Sequence, residues 1–225
     1  GGESGRVVVG SFDGGKIRLS EKHRFATGGT KVGSALRWDV PKFWEEIQRG
    51  LGIAAADEQS ITSVGVDTWG VDYALLGANE ELLELPYHYR DDKNIGTMEP
   101  ILAKIPKADL FALTGNQFME INTLYQLIAE QKNQPDRLEA AKFFLTIADY
   151  FNFRLSGVPK IEESLASTTQ LFNPSTKQWS SKLAETFGLP RRVFPPICPS
   201  GTKLGTLLPE LQAADGFSET QVIAT

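Results

Sequence analysis

The chain has 225 residues, 41% of them hydrophobic, with 28 acidic against 23 basic side chains and a net charge of −5. That length is enough for one large or two small domains around a sizeable core, and the acidic balance argues against a general nucleic-acid or anionic-membrane surface, which needs clustered Lys and Arg. Cys198 is the single cysteine, so no internal disulfide can form. With no apolar run of membrane-spanning length and no signal-peptide pattern, a reducing, cytoplasmic setting is the expectation.

Gly1-Gly2-Glu3-Ser4-Gly5-Arg6 is a turn-rich opening with nothing upstream to turn away from, so the chain reads as beginning inside a motif. Val7 to Phe12 and Lys16 to Ser20 are strand-like and joined by Asp13-Gly14-Gly15, which spells a hairpin. Asp39 caps an expected helix with Pro41 in its first turn and Phe43, Ile47 and Leu51 along one face, about three to four turns long. Ile61 to Val66 reads as a buried strand and Asp72 to Leu76 as its neighbour. From residue 95 to about 190 the pattern turns helical. Asn122 is placed to cap Thr123 to Lys132, and the apolar run Phe143 to Ile147 precedes a helix from Asp149 to Leu155 that ends at Gly157. After a tail rich in Pro and Gly, Val222 to Thr225 is a strand-like run cut off at the last residue. Strands, a helical block and a closing strand, with no internal linker, predict a single α/β domain: a mixed sheet with helices packed on it.

Three segments carry groups fit for chemistry. The opening Gly-rich turn combines backbone freedom, a hydroxyl and a cation beside a strand, the ingredients for wrapping phosphate oxygens, although on pattern alone an ordinary Gly-rich turn or a disordered end is the commoner outcome. It is neither a P-loop nor a dinucleotide fingerprint. Val64 to Leu76 (VGVDTWGVDYALL) sets Asp67 and Asp72 around a Trp-Gly pair, where Trp69 offers a face for a sugar's C–H surface, Gly70 lets a ligand approach the backbone and the carboxylates accept hydroxyls. The competing reading is a hairpin with acidic turn residues. Tyr87 to Asp92 (YHYRDD) adds hydroxyl, guanidinium and carboxylate groups, and otherwise reads as a solvated loop with an internal ion pair. His23 and His88, the only histidines, are too separated for a zinc site or a catalytic triad. A two-metal, nuclease-like use of Asp67, Asp72, Asp91 and Asp92 sits poorly with the acidic balance.

Taken together, GGESGRVVVG, LRWDV, VGVDTWGVDYALL, PYHYRDD, GNQFMEINTLYQL, DYFNFRLSG, ASTTQLFNP and PSGTKLG resemble the FGGY carbohydrate kinases, in that family's order over nearly the whole chain. DTWGVD with INTLYQL and STTQL resembles the branch that acts on L-rhamnulose. The resemblance implies an actin-like, ribonuclease H-like fold in two lobes, and transfer of the γ-phosphoryl group of ATP, with Mg²⁺, to the 1-hydroxyl of a ketose such as L-rhamnulose, or another sugar such as L-fuculose or D-xylulose. A non-catalytic sugar-binding or regulatory relative is the alternative. Residues 1–225 would be the N-terminal, sugar-side lobe, truncated at both ends and packing in the full-length protein against a C-terminal ATP-binding lobe outside this chain. Gly2, Glu3, Ser4, Gly5 and Arg6 match the turn facing the ATP phosphates. Gly70 matches a substrate-contacting position, with Asp67, Trp69 and Asp72 as its wall. The general-base Asp is expected after Thr225, so no catalytic residue and no metal ligand is assigned within the chain. The aspartate of the family's Asp-x-Gly, which helps organise Mg²⁺, would precede Gly1. Lys93 stands where the family commonly has Arg, Leu165 where Asn is expected and Asn116 where Ile is expected.

Overall fold

A computed structural model describes residues 2–58, 60–212 and 217–225; Gly1, the first residue of the phosphate-turn candidate, lies outside them. In chain order the strands and helices are β1 (Ser4–Phe12), β2 (Ile17–Ala26), β3 (Thr30–Val32), β4 (Ala35–Arg37), α1 (Val40–Asp57), β5 (Ser63–Gly65), β6 (Tyr73–Leu76), α2 (Met98–Lys104), α3 (Lys107–Thr114), α4 (Thr123–Asn133), α5 (Pro135–Ala140), β7 (Phe143–Thr146), α6 (Ile147–Ser156), β8 (Ile161–Glu162), α7 (Glu163–Ser167), β9 (Phe172–Asn173), β10 (Gln178–Trp179), α8 (Ser181–Phe187), β11 (Ile197–Cys198), β12 (Lys203–Thr206) and β13 (Gln221–Ile223).

The expected first hairpin is present, and its turn has a clear cause. Asp13 Oδ1 accepts the N–H groups of Gly15 (3.1 Å) and Lys16 (2.9 Å), while Gly14 takes φ +85°. β1 and β2 pair antiparallel with an irregularity at Val7/Val8. Helix α1 starts where Asp39 Oδ1 accepts the Lys42 N–H, but at 18 residues it is longer than the expected three to four turns. The run Ala54-Ala55-Ala56 carries it on, alanine being the best helix former. Gly50 on this helix lies against β1, since a Cβ there would come within 2.4 Å of Val7 Cγ2.

The expected pairing of β5 with β6 is not what forms. β5 runs parallel to β13, which pairs antiparallel with β12, whereas β6 is antiparallel to β7 in a different sheet. Helix α6 contacts β6, β7, β12 and β13 and so links the two sheets. Nor is β5 the buried strand its composition predicts: Val64 is half-buried and Ser63 and Gly65 are exposed, because β5 is a sheet edge with no strand on its other side. β6, by contrast, is buried along its whole length and packs into a core that includes Trp38, Tyr125, Phe144 and Tyr150.

Helix α6 shows why its sequence stops and starts where it does. Gly157 terminates it at φ +72°. At its start the Thr146 hydroxyl donates to Asp149 Oδ2 (2.6 Å), and Asp149 also accepts the Glu162 N–H at 3.2 Å. Burial outweighs those donors and pushes the Asp149 carboxyl up to about 7. An acid that holds its proton more tightly when folded contributes most at low pH, so this residue's contribution falls as pH rises from about 4 through 7, by an upper figure on the order of 4 kcal/mol. Asp149→Asn is therefore expected to flatten the decline of urea-unfolding stability across that window. An unchanged slope would reject the assignment.

Among the described residues no helix is long and apolar enough to cross a membrane. Cys198 is a buried, free thiol.

Candidate functional site

The connector from Val66 to Asp72 leaves one sheet and enters another, and its shape is set at three consecutive residues. Gly70 carbonyl accepts the Asp72 N–H (2.9 Å), which folds the chain tightly around Val71 at φ +68°. A β-branched residue is strained there, and the surroundings hold it in place. The Val71 N–H donates to Thr168 Oγ1 (3.0 Å), and its carbonyl accepts from Thr123 Oγ1 (2.7 Å) and Gln126 Nε2 (3.2 Å). Gly70 is pressed onto the same threonine, for a Cβ at residue 70 would lie 2.8 Å from Thr168 Oγ1 and Cγ2.

Asp72 is the anchor of this region. Its Oδ2 accepts from Trp38 Nε1 (2.6 Å), Trp69 Nε1 (3.0 Å) and the Tyr89 N–H (3.1 Å), and its Oδ1 accepts from Gln126 Nε2 (2.9 Å). The side chain is 0% exposed. Burial raises its carboxyl to about 6 against the pull of those four donors. The indoles of Trp38 and Trp69 sit 4.2 Å apart between ring centres, and His88 also stacks on Trp38 at 3.9 Å. Asp72, expected in the wall around a ligand, thus stands behind that wall and ties it together, because the Trp38 and Trp69 rings close over its carboxylate.

The front of the wall opens into a pocket of about 440 Å³. Trp69, Gly70 and Val71 form one side, Tyr89 another, Asn116, Gln117, Met119, Ile121 and Asn122 a third, and Ser167 and Thr168 a fourth. An aromatic face, an exposed backbone segment and a ring of hydroxyls and amides make a lining suited to a small polyhydroxylated molecule. Asn116 bridges two of these segments by donating from Nδ2 to the Ser167 carbonyl (2.7 Å). Asn122 precedes α4 without capping it; its amide donates instead to the Gln117 carbonyl (2.8 Å) and Gln170 Oε1 (3.1 Å), which draws the 117–122 loop toward residue 170.

A second cavity, of about 290 Å³, adjoins the first. Gly5 and Arg6 of the opening turn line it together with Asp67, Thr68 and Trp69. Trp69 belongs to both cavities. Gly2 is beside the first one as well, since a Cβ there would lie 3.8 Å from Tyr89 Oη. Of the residues read from sequence, then, Gly2, Gly5, Arg6, Asp67, Trp69 and Gly70 are gathered around one opening. Glu3 is exposed and Ser4 half-buried nearby on the same strand end, while Asp67 faces the Gly5 and Arg6 side and not the pocket beyond Gly70.

The YHYRDD segment is not a solvated loop. His88 is buried, Asp91 accepts the Leu36 N–H (2.7 Å) and the Lys93 N–H (2.9 Å), and Tyr89 faces the pocket. Behind it Lys93 Nζ meets the fully buried Glu130 carboxylate at 3.4 Å, which Arg137 also contacts. Burial draws the Lys93 ammonium down to about 8, the Glu130 charge resisting.

Sequence reasoning did not single out Tyr89, Gln117, Ser167 or Thr168 as pocket residues, nor Trp38 and Gln126 as supports. The available signal was a run of amides and hydroxyls, Asn116-Gln117 and Ser167-Thr168-Thr169-Gln170, inside segments otherwise apolar enough to be core.

The chain matches, over residues 1–225, the family model described as the FGGY family of carbohydrate kinases, N-terminal domain. It is 40% identical over 94% of its length to a rhamnulokinase of Oceanobacillus iheyensis, and 37% identical over 100% to a rhamnulokinase of Bacteroides thetaiotaomicron; it spans 45% and 46% of those two relatives. Among solved structures it superposes on a ligand-bound xylulose kinase from Lactobacillus acidophilus with a TM-score of 0.87 at 15% identity, covering 98% of this chain and 45% of that one. A carbohydrate kinase from Novosphingobium aromaticivorans gives 0.84 at 24% identity, covering 99% and 46%. These likenesses carry the fold, an α/β arrangement of the actin-like, ribonuclease H-like type.

Proposed function

Because this chain belongs to the FGGY family of carbohydrate kinases, we propose that the whole protein moves the γ-phosphoryl group of ATP to the 1-hydroxyl of a ketose, L-rhamnulose first among them, and that residues 1–225 are its sugar-side lobe. The observation that carries this reading is the placement of Trp69, which separates the polyol-sized pocket from the cavity that Gly5 and Arg6 line. A sugar held against Trp69, Gly70 and Tyr89 would present a hydroxyl toward the Arg6 side, where a guanidinium and backbone N–H groups favour phosphate. Positioning and charge stabilisation are most of what phosphoryl transfer asks of a protein.

The proton of the attacking hydroxyl needs an acceptor. β13 lies parallel to β5, and Thr225 Oγ1 donates to the Val66 carbonyl at 2.9 Å, so residues following Thr225 would emerge beside Asp67 and Trp69. That placement supports a general base there, in a longer chain that continues into an ATP-binding lobe. Mg²⁺ would accompany the nucleotide, as the family resemblance implies. A cytoplasmic setting, where ATP and reduced thiols coexist, belongs to the same reading.

The test is a coupled ADP-release assay on the full-length protein and on residues 1–225, with L-rhamnulose, L-fuculose and D-xylulose. Turnover by the full-length protein alone, fastest with L-rhamnulose, is the expected result. Turnover by the shorter chain would reject an external base. A full-length protein that binds sugar without turnover would make it a non-catalytic binder.

A further inference from the structure

Residue 116 is an amide on the pocket lining, and its surroundings fix which way that amide is held. Gly115 ends α3 in the left-handed conformation, at φ +70°, with its N–H bonded to the Phe111 carbonyl at 2.7 Å, so the helix stops abruptly and Asn116 leaves it at a set angle. The Asn116 side chain, half-buried, then donates from Nδ2 to the Ser167 carbonyl. A carbonyl oxygen can only accept, so the NH₂ group is the end that faces it and Oδ1 is the end turned away. Asn116 makes one further bond among the described residues, from its N–H to Thr114 Oγ1 at 3.5 Å, and this leaves Oδ1 without a donor.

The place of that oxygen along the pocket follows from the order of the wall. Trp69 is shared with the cavity on the Arg6 side, whereas Asn116 lines only the pocket suited to a polyol. From Trp69 the lining runs through Gly70 to Thr168, against which Gly70 is pressed, then to Ser167 and so to Asn116. A ketose whose 1-hydroxyl points past Trp69 toward Arg6 has the opposite end of its carbon chain at Asn116.

Resting on the reading that this pocket seats a ketose, we propose that Asn116 determines specificity there: its Oδ1 accepts the hydrogen of a hydroxyl on the carbon farthest from the transferred phosphate, carbon 6 of a ketohexose. The seat then takes 6-hydroxy ketoses alongside 6-deoxy ones such as L-rhamnulose. A hydroxyl at that end gains an acceptor already held in place, so little side-chain freedom is lost on binding. A methyl group in the same position gives Oδ1 no donor, but at a half-buried site water supplies one. The isoleucine that the family resemblance leads one to expect at 116 would offer the hydroxyl no acceptor at all.

The test uses L-rhamnulose and L-fructose, which differ only in the hydrogen or hydroxyl on carbon 6, and measures both kcat/KM and calorimetric binding with the full-length protein. The wild type is expected to use both sugars. Asn116→Leu, close to asparagine in shape, is expected to lower the L-fructose to L-rhamnulose ratio of kcat/KM by at least about fivefold, the worth of one neutral hydrogen bond. Partial unfolding lowers both sugars together and leaves the ratio where it was. Asn116→Asp keeps oxygen acceptors but cannot donate to Ser167, and is expected to retain more of the ratio than the Leu variant; an equal loss would make the Ser167 bridge the cause and overturn the proposal. An unchanged ratio in Asn116→Leu, or a wild type that uses L-rhamnulose but not L-fructose, would overturn it as well while leaving the kinase reading in place. Binding of both sugars without turnover, with the ratio of binding constants shifted by Asn116→Leu, would reject the kinase reading and uphold the acceptor. Binding of neither sugar would reject both.

Discussion

Asp72→Ala is expected to lower stability by about 3–5 kcal/mol, the cost of several donors left without an acceptor, seen as a fall in melting temperature of roughly 10 °C or more for a chain of this size. The carboxylate is the shared acceptor for Trp38 Nε1, Trp69 Nε1, the Tyr89 N–H and Gln126 Nε2, and its removal leaves three of these without their acceptor, one fully buried and two half-buried. Only Gln126 keeps other acceptors, the carbonyls of Val71 and Ile121. An unpaired buried donor costs the full desolvation of the group, so the loss exceeds that of one ordinary hydrogen bond. Asp72→Asn separates this from a requirement for charge. It keeps an oxygen for the two indoles and Tyr89 while turning an NH₂ group toward the Gln126 amide, and is expected to cost about 1–2 kcal/mol. Equal damage from Ala and Asn would mean that the negative charge, and not the acceptor geometry, is what the site requires. Little damage from either would reject the anchoring role.

Gly70→Ala is expected to empty the pocket of function while leaving the fold recognisable, with a stability loss of about 1–3 kcal/mol and at least a tenfold rise in the sugar KM of the full-length protein. The added methyl would meet Thr168 Oγ1 and Cγ2 at 2.8 Å and its Cβ at 2.9 Å. Thr168 cannot turn aside cheaply, because its hydroxyl donates to the Leu165 carbonyl (2.8 Å) and accepts the Val71 N–H. The connector must move, and it carries Trp69 and Val71 with it. Steady-state kinetics distinguish the outcomes: a KM unchanged with kcat reduced would place residue 70 at the reacting centre and not in the sugar's seat.

Local signals were read well where a structure has local causes. The Asp13-Gly14-Gly15 reversal, the Asp39 cap and the Gly157 stop each act within a few residues of themselves, and each was legible. What could not be read was which strands would meet. β5 and β6, eight residues apart, look like a hairpin from their alternation, yet β5 finds β13 from the far end of the chain, where Thr225 reaches Val66 across 159 residues of sequence. Periodicity specifies a strand and its faces but carries no address for its partner. The pocket was half legible for the same reason. Trp69 and Gly70 announce themselves in a short motif, whereas Asn116 and Thr168 acquire meaning only when α3, α4 and α7 bring their ends beside it.

The contact between Trp38 and Trp69 has an optical consequence. Two indoles with ring centres 4.2 Å apart and planes inclined by 38° are close enough for their excited states to couple, and one of them faces the pocket while the other is sealed in the core. Of the four tryptophans, only Trp69 lines the proposed sugar seat, with Trp38 against it on the inner side, so occupancy should register in the near-ultraviolet circular dichroism and emission of the unlabelled protein. Binding could then be followed by light alone, without turnover and without a reporter group.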